Sequence, residues 1–224
     1  MKNRILVSFA AALSLVFAGG ASAQPSASGL TDGIAAYRAG DVETAWPLLA
    51  AASEDGAIKA KRYLAYIMLD GETPKGREAD LFKGVALLKE AALAGDYAAL
   101  IRLENLRRKH LAHSPSLDDM IAIEEARAEE GDPVVAWRLA KRFEMGDGVE
   151  VSEAGMTKWL EVAASAEPAR FPKAGEAAYR LCELNALGRE AKDPDAARRW
   201  CAVAAENGHM GAAIVLKRLA QLQG

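Results

Sequence analysis

The sequence is poor in the residues that carry out chemistry. It has three histidines and two cysteines in 224 residues. His-Glu-x-x-His and Cys-x-x-Cys are absent, which removes the familiar metalloprotease and dithiol signatures. Gly-x-Ser-x-Gly and Ser-x-x-Lys are absent too, which removes the common serine-nucleophile signatures. His110 and His113 lie near Asp118 and Asp119, but the four read more simply as a solvated loop, so no metal or cofactor is assigned. Aromatic residues are 6% of the chain. Val, Ile, Phe and Tyr are sparse while Ala is abundant, which disfavours strands and favours helices. Beyond the N-terminus no apolar run approaches the roughly 18 residues that a membrane span needs.

The one long apolar run is at the start. Lys2 and Arg4 precede an apolar stretch of 14 residues, Ile5 to Ala18, and Ala21-Ser22-Ala23 follows it. That order is expected of a cleaved export signal over residues 1–23, and it implies a periplasmic or secreted protein. No cysteine stands at the cleavage point to take a lipid anchor. Removal of Lys2 and Arg4 leaves 26 basic and 31 acidic residues, a net charge of −5. An acidic chain is a poor partner for nucleic acid.

What the sequence does have is a period. The pattern small-x-x-x-Leu-small-x-x-large-x-x-Gly is met by Ala60, Leu64, Ala65, Met68 and Gly71. Val135, Leu139, Ala140, Phe143 and Gly146 repeat it with a larger first residue. Ala177, Leu181, Cys182, Asn185 and Gly188 repeat it with a polar residue at the large position. Weaker copies start at Ala99 and Ala212, so the starts are 39, 36, 42 and 35 residues apart. A second pattern, bulky-x-x-x-Ala-Ala-x-x-Gly, follows at Leu87, Ala91, Ala92 and Gly95, and at Trp200, Ala204, Ala205 and Gly208. Trp159, Ala163 and Ala164 carry it without the glycine. Spacings of three and four make each half a helix with one buried stripe. Periodic helix pairs of this length stack into one continuous core.

Cap chemistry agrees. Asp132-Pro133 and Asp193-Pro194 place an N-cap before a proline at the first helical position. Ser116 with Asp119 resembles a capping box, and Ser152 and Asp41 are further caps. Gly71, Gly95, Gly146, Gly188 and Gly208 stand where helices should stop. Gly146-Asp147-Gly148 follows a helical pattern rather than a strand and lacks a Gly-Lys-Ser/Thr sequence, so it reads as a hairpin turn and not a phosphate loop.

With Leu-small-x-x-Phe-x-x-Gly-x-Gly-Val followed by Trp-x-x-x-Ala-Ala, the stretch from Val135 to Ala164 resembles the Sel-one-like repeat family, kin of tetratricopeptide repeats. Gly33 to Ala45 resembles a tetratricopeptide-like opening hairpin. The resemblance implies an all-α, right-handed α-solenoid of stacked antiparallel hairpins. Boundaries are expected near 24–30 for a flexible linker and 31–224 for the solenoid. Its hairpins would fall at about 31–56, 57–95, 96–131, 132–167 and 176–208, with a closing helix at 209–222. The copy at Ala99 departs from the pattern, with "RRKHLAHSPSLDD" in place of its turn, and 166–175 is an insertion with two prolines.

The resemblance also implies a scaffold for protein contacts, with a concave groove lined by the first helix of each hairpin. Exported bacterial members resemble adaptors in envelope assembly, polysaccharide secretion or sensor regulation. Carried over by position, Arg62, Tyr66, Trp137, Lys141, Tyr179 and Glu183 would line the groove and bind a protein partner of unknown identity. Lys59, Arg62, Arg108 and Lys141 would make the face basic early, and Glu144, Glu176 and Glu183 acidic late. An alternative takes the aromatic residues as platforms for sugar rings, in an envelope glycan binder or hydrolase of peptidoglycan or exopolysaccharide. The acidic pairs Glu124-Glu125 and Glu129-Glu130 read as surface charge.

Cys182 lies six residues before Gly188 and Cys201 seven after Pro194. Both are therefore about 9–10 Å from the turn on facing helices, and a disulfide is expected between them.

Overall fold

Alanine stripes let helices approach closely, and the chain folds accordingly. The computed structural model describes residues 27–187 and 192–221. The expected export signal and Gly188 lie outside the described residues. Among the described residues are eleven helices and no strand. In order they are α1 Ala27–Arg38, α2 Val42–Glu54, α3 Ile58–Asp70, α4 Leu81–Leu93, α5 Tyr97–Arg107, α6 Leu117–Glu129, α7 Pro133–Met145, α8 Glu153–Ala164, α9 Ala174–Leu187, α10 Pro194–Glu206 and α11 Met210–Gln221. Each helix packs on the next in an all-α solenoid of hairpins.

The helices begin where a side chain can take up orphan amides. Asp96 accepts from Ala98 and Ala99 N–H at 3.0 and 3.1 Å. Asp132 accepts from Val134 and Val135 at the same two distances. Asp193 accepts from Asp195 and Ala196, both at 2.9 Å. Ser116 and Asp119 cap each other's amides reciprocally. α1 begins at Ala27, inside the stretch expected to be a linker. The reason is apolar: Leu30 and Ile34 pack against the core cluster that starts with Ala45 and Leu49 of α2.

The Gly-Asp-Gly turn is explained by two different constraints. Gly146 closes α7 in the left-handed region with φ 72°. Gly148 also has positive φ, and a Cβ there would stand 2.6 Å from Leu117 and 2.7 Å from Ile121. The turn is thus pressed against α6, and only glycine fits.

Two connections differ from their sequence reading. The 166–175 insertion drives Phe171 to 5% exposure, with its ring 6.3 Å from Trp137. The connection after α5 is ordered by Ser114, whose hydroxyl donates to Leu106 O at 2.7 Å and accepts from Leu111 N–H at 3.1 Å. His113, read above beside acidic residues, lies edge-on to Phe82 at 6.4 Å.

Arg127 of α6 ties three helices. It donates to Ala92 O at the end of α4 at 2.7 Å and pairs with Asp132, the cap of α7. Asp132→Ala removes a cap and a partner of a guanidinium that is only 7% exposed. The expected loss is about 2 kcal/mol, checked by urea denaturation. A loss no larger than that of an exposed control would show the tie to be inert.

Candidate functional site

The first helices of the first three hairpins, α1, α3 and α5, share one face. On it three tyrosines meet. Tyr37 of α1 lies 5.2 Å from Tyr63 and 6.4 Å from Tyr66, and the latter two lie 5.9 Å apart in edge contact. Arginines surround them. The Arg62 guanidinium stands 4.6 Å from the Tyr63 ring and 5.7 Å from Tyr66, and Arg102 of α5 stands 5.6 Å from Tyr66. Arg38 donates to the Tyr63 hydroxyl at 3.3 Å. Carboxylates pin the guanidinium groups: Arg62 Nε lies 2.7 Å from Asp96 Oδ2, and Arg102 pairs with Asp70.

Electrostatics separates the phenols. Burial pushes Tyr37 up, and Asp70 and Glu72 push it further. Burial pushes Tyr63 up too, but Arg38 and Arg62 outweigh it and leave it below its ordinary value. The result is a fixed aromatic–cation platform in which Tyr37 and Tyr66 are half-buried and Tyr63 is buried in the core.

The structure divides the six expected groove residues into two groups. Arg62 and Tyr66 belong to the tyrosine platform. Lys141, Glu183, Trp137 and Tyr179 lie on α7 and α9. There Lys141 pairs with Glu144 at 2.7 Å, Glu144 with Arg180, and Arg180 with Glu183 at 3.0 Å. The Lys141 ammonium holds the Glu144 carboxyl below its usual range despite burial, with Arg180 assisting. This ladder changes the expected charge gradient. Arg62, Lys141, Glu144 and Glu183 are matched locally and present no free charge of one sign.

Trp137 also differs from its reading. It is 8% exposed, enclosed by Phe171 and flanked by Lys141 at 5.2 Å and Lys173 at 5.6 Å. The insertion covers it, so its indole belongs to the core. Tyr179 is half-buried and stacks on His209 at 3.9 Å. Tyr37, Tyr63 and Arg102 fall outside the fixed groove offsets counted from α3 onward. Tyr63 and Tyr66, three apart on one helix, were the available signal.

Cys182 of α9 and Cys201 of α10 are joined by a disulfide, with Cα atoms 4.9 Å apart. Among the described residues no cluster of three His, Cys, Asp or Glu is arranged to hold a metal ion, and no helix is long and apolar enough to cross a membrane.

Residues 58–96, 133–167 and 175–209 each match the Sel1 repeat. The chain belongs to the Sel1-repeat family. The matches fall on α3–α4, α7–α8 and α9–α10, in the phase of the small-residue pattern, and pass over the irregular α5–α6 hairpin. Two solved structures are similar. A Sel1 repeat protein from Oxalobacter formigenes is 20% identical, with 84% of this chain and 75% of that one covered and a TM-score of 0.49. A protective antigen present in uropathogenic Escherichia coli strains, displaying an SLR fold, is 19% identical, with 84% of this chain covered and a TM-score of 0.45. The chain spans 41% of that antigen's length. No curated protein matches the chain. Sel1-repeat proteins generally mediate protein–protein contacts.

Proposed function

We propose that this Sel1-repeat chain is a non-enzymatic adaptor, periplasmic or secreted, that holds a segment of a protein partner on the α1, α3 and α5 face. The tyrosine platform carries the reading. Tyrosine and arginine are the side chains most enriched where interfaces concentrate their binding energy. Here their rotamers are already restrained by Asp70, Asp96 and one another, so little ordering entropy is lost on binding. The repeat family supports a protein partner, and the leader-like N-terminus supports export. Envelope assembly, polysaccharide secretion and sensor regulation are the processes such an adaptor would serve.

A photo-crosslinker at Ile101, half-buried on α5, tests it in periplasmic extract. One dominant protein adduct is expected, falling about tenfold or more in Arg62→Ala/Tyr66→Ala while circular dichroism stays unchanged. The same adducts in the variant, or none in either chain, would remove the proposal. Adducts with glycan chains instead would move the function to envelope polymer binding.

A further inference from the structure

A second concavity lies away from the tyrosine platform and is independent of the adaptor reading. It is a cleft of about 450 Å³ between α2 and α4, within the size range of small-ligand sites. Leu64 and Met68 of α3 form its floor, and Trp46 and Leu87 form its sides. Both α2 and α4 pack antiparallel on α3 and therefore run parallel to each other. Residues consequently rank along the cleft: Trp46, Met68 and Lys83 at one end, Glu54, Lys61 and Glu90 at the other. Trp46 and Glu54 are about 12 Å apart along α2.

The two ends differ in charge. At the far end Lys61 holds Glu90 at 2.5 Å, and Glu54 forms no ion pair among the described residues. At the near end the Arg77 guanidinium stands 4.6 Å from the Trp46 ring. Neither Arg77 nor Lys83 forms an ion pair among the described residues. Two nearby carboxylates bond backbone instead: Asp80 accepts from Lys83 N–H at 2.9 Å, and Glu43 from Lys75 N–H at 2.7 Å. Arg77 is placed by its loop. Its N–H donates to Pro74 O at 3.0 Å, and its carbonyl accepts from the Thr73 hydroxyl at 2.6 Å.

We infer that this cleft binds a small aliphatic carboxylate, with the carboxylate between Arg77 and Lys83 and the chain along Met68, Leu64 and Leu87. A charge-assisted hydrogen bond from Arg77 fixes the head group. The apolar floor supplies the remaining free energy by burial.

Octanoate is the probe, with octanol and octylammonium as controls, titrated into the purified chain by calorimetry. Octanoate is expected to saturate one site and to bind about tenfold more tightly than octanol. Arg77→Ala and Lys83→Ala should each weaken octanoate by about tenfold and leave octanol unchanged. Both residues are exposed, so the variants should fold, which circular dichroism checks. Absence of saturable octanoate binding overturns the inference. So does equal binding of octanol, which would mean unspecific partition, or tighter binding of octylammonium, which would make Glu54 the anchor. Unchanged octanoate affinity in both variants would overturn it as well.

Discussion

Glu124→Ala is expected to lower the unfolding free energy by about 3 kcal/mol, the lower end of what loss of a buried charge partner costs. Glu124 has 0% exposure. Arg138 donates to its Oε1 from two nitrogens, at 2.9 and 3.1 Å, and Arg142 donates to Oε2 at 2.6 Å. Arg142 is itself only 5% exposed. Without the carboxylate it keeps Glu104 at 3.6 Å and Asp147, which is why the lower end is expected. The effect exceeds that of an ordinary surface acid because a desolvated guanidinium is left short of an acceptor. Urea denaturation measures it. A loss below about 1 kcal/mol would mean that water reaches Arg142 freely. The companion Glu124→Leu/Arg142→Leu should recover most of the loss, since an apolar pair can replace a buried ion pair at little cost. Failure to recover would assign the network to holding the α5–α6 hairpin in place.

Reduction of the Cys182–Cys201 bond is the second large effect. The residues are 19 apart in sequence and both are fully buried. A closed loop of this length restricts the unfolded chain by about 3 kcal/mol. The cross-link joins α9 to α10, next to α11, whose only buried side chain is Ala212. Cys182→Ala/Cys201→Ala should therefore lower the melting temperature by about 6–12 °C. Hydrogen exchange should quicken first in α9 to α11. Burial also predicts that reductant acts slowly on the folded chain and fast in urea. Two free thiols in the exported protein, seen by mass spectrometry, would contradict the bond. An unchanged melting temperature on reduction would show that Ala-rich packing alone suffices there.

Much of the fold is legible because it is built from short-range rules. Ala60, Leu64 and Ala65 recur in phase as Val135, Leu139 and Ala140, and a helix period needs no knowledge of the partner to be seen. Asp132-Pro133, Asp193-Pro194 and Ser116 with Asp119 are caps whose acceptors lie within three residues. The cysteine pair was accessible because both sit at computable heights about one turn. The misread residues all depend on distant neighbours. Glu124 looks like half of an acidic surface pair, and only Arg138 and Arg142, 14 and 18 residues on, show why it is inside. Its face of α6 also carries Met120, Ile121, Ile123 and Ala128, so Glu124 lies within an apolar stripe. Trp137 sits at a groove position in its own hairpin, and Phe171 from the insertion decides its exposure. The tyrosine platform needed three helices at once. Arg62 and Tyr66 were found from α3, while Tyr37 and Arg102 came from positions that a single-helix rule does not reach.

Repeat arrays ordinarily lengthen and shorten by gaining or losing whole units, since each unit meets only its neighbours. The joint between α8 and α9 is closed to that traffic. Phe171 seals Trp137 from a segment that belongs to neither hairpin, and a recombination there would separate a plug from its socket. A crossover within 166–175 would leave an indole bare. The lineage of this chain should therefore keep α7 through α10 together as one inherited block.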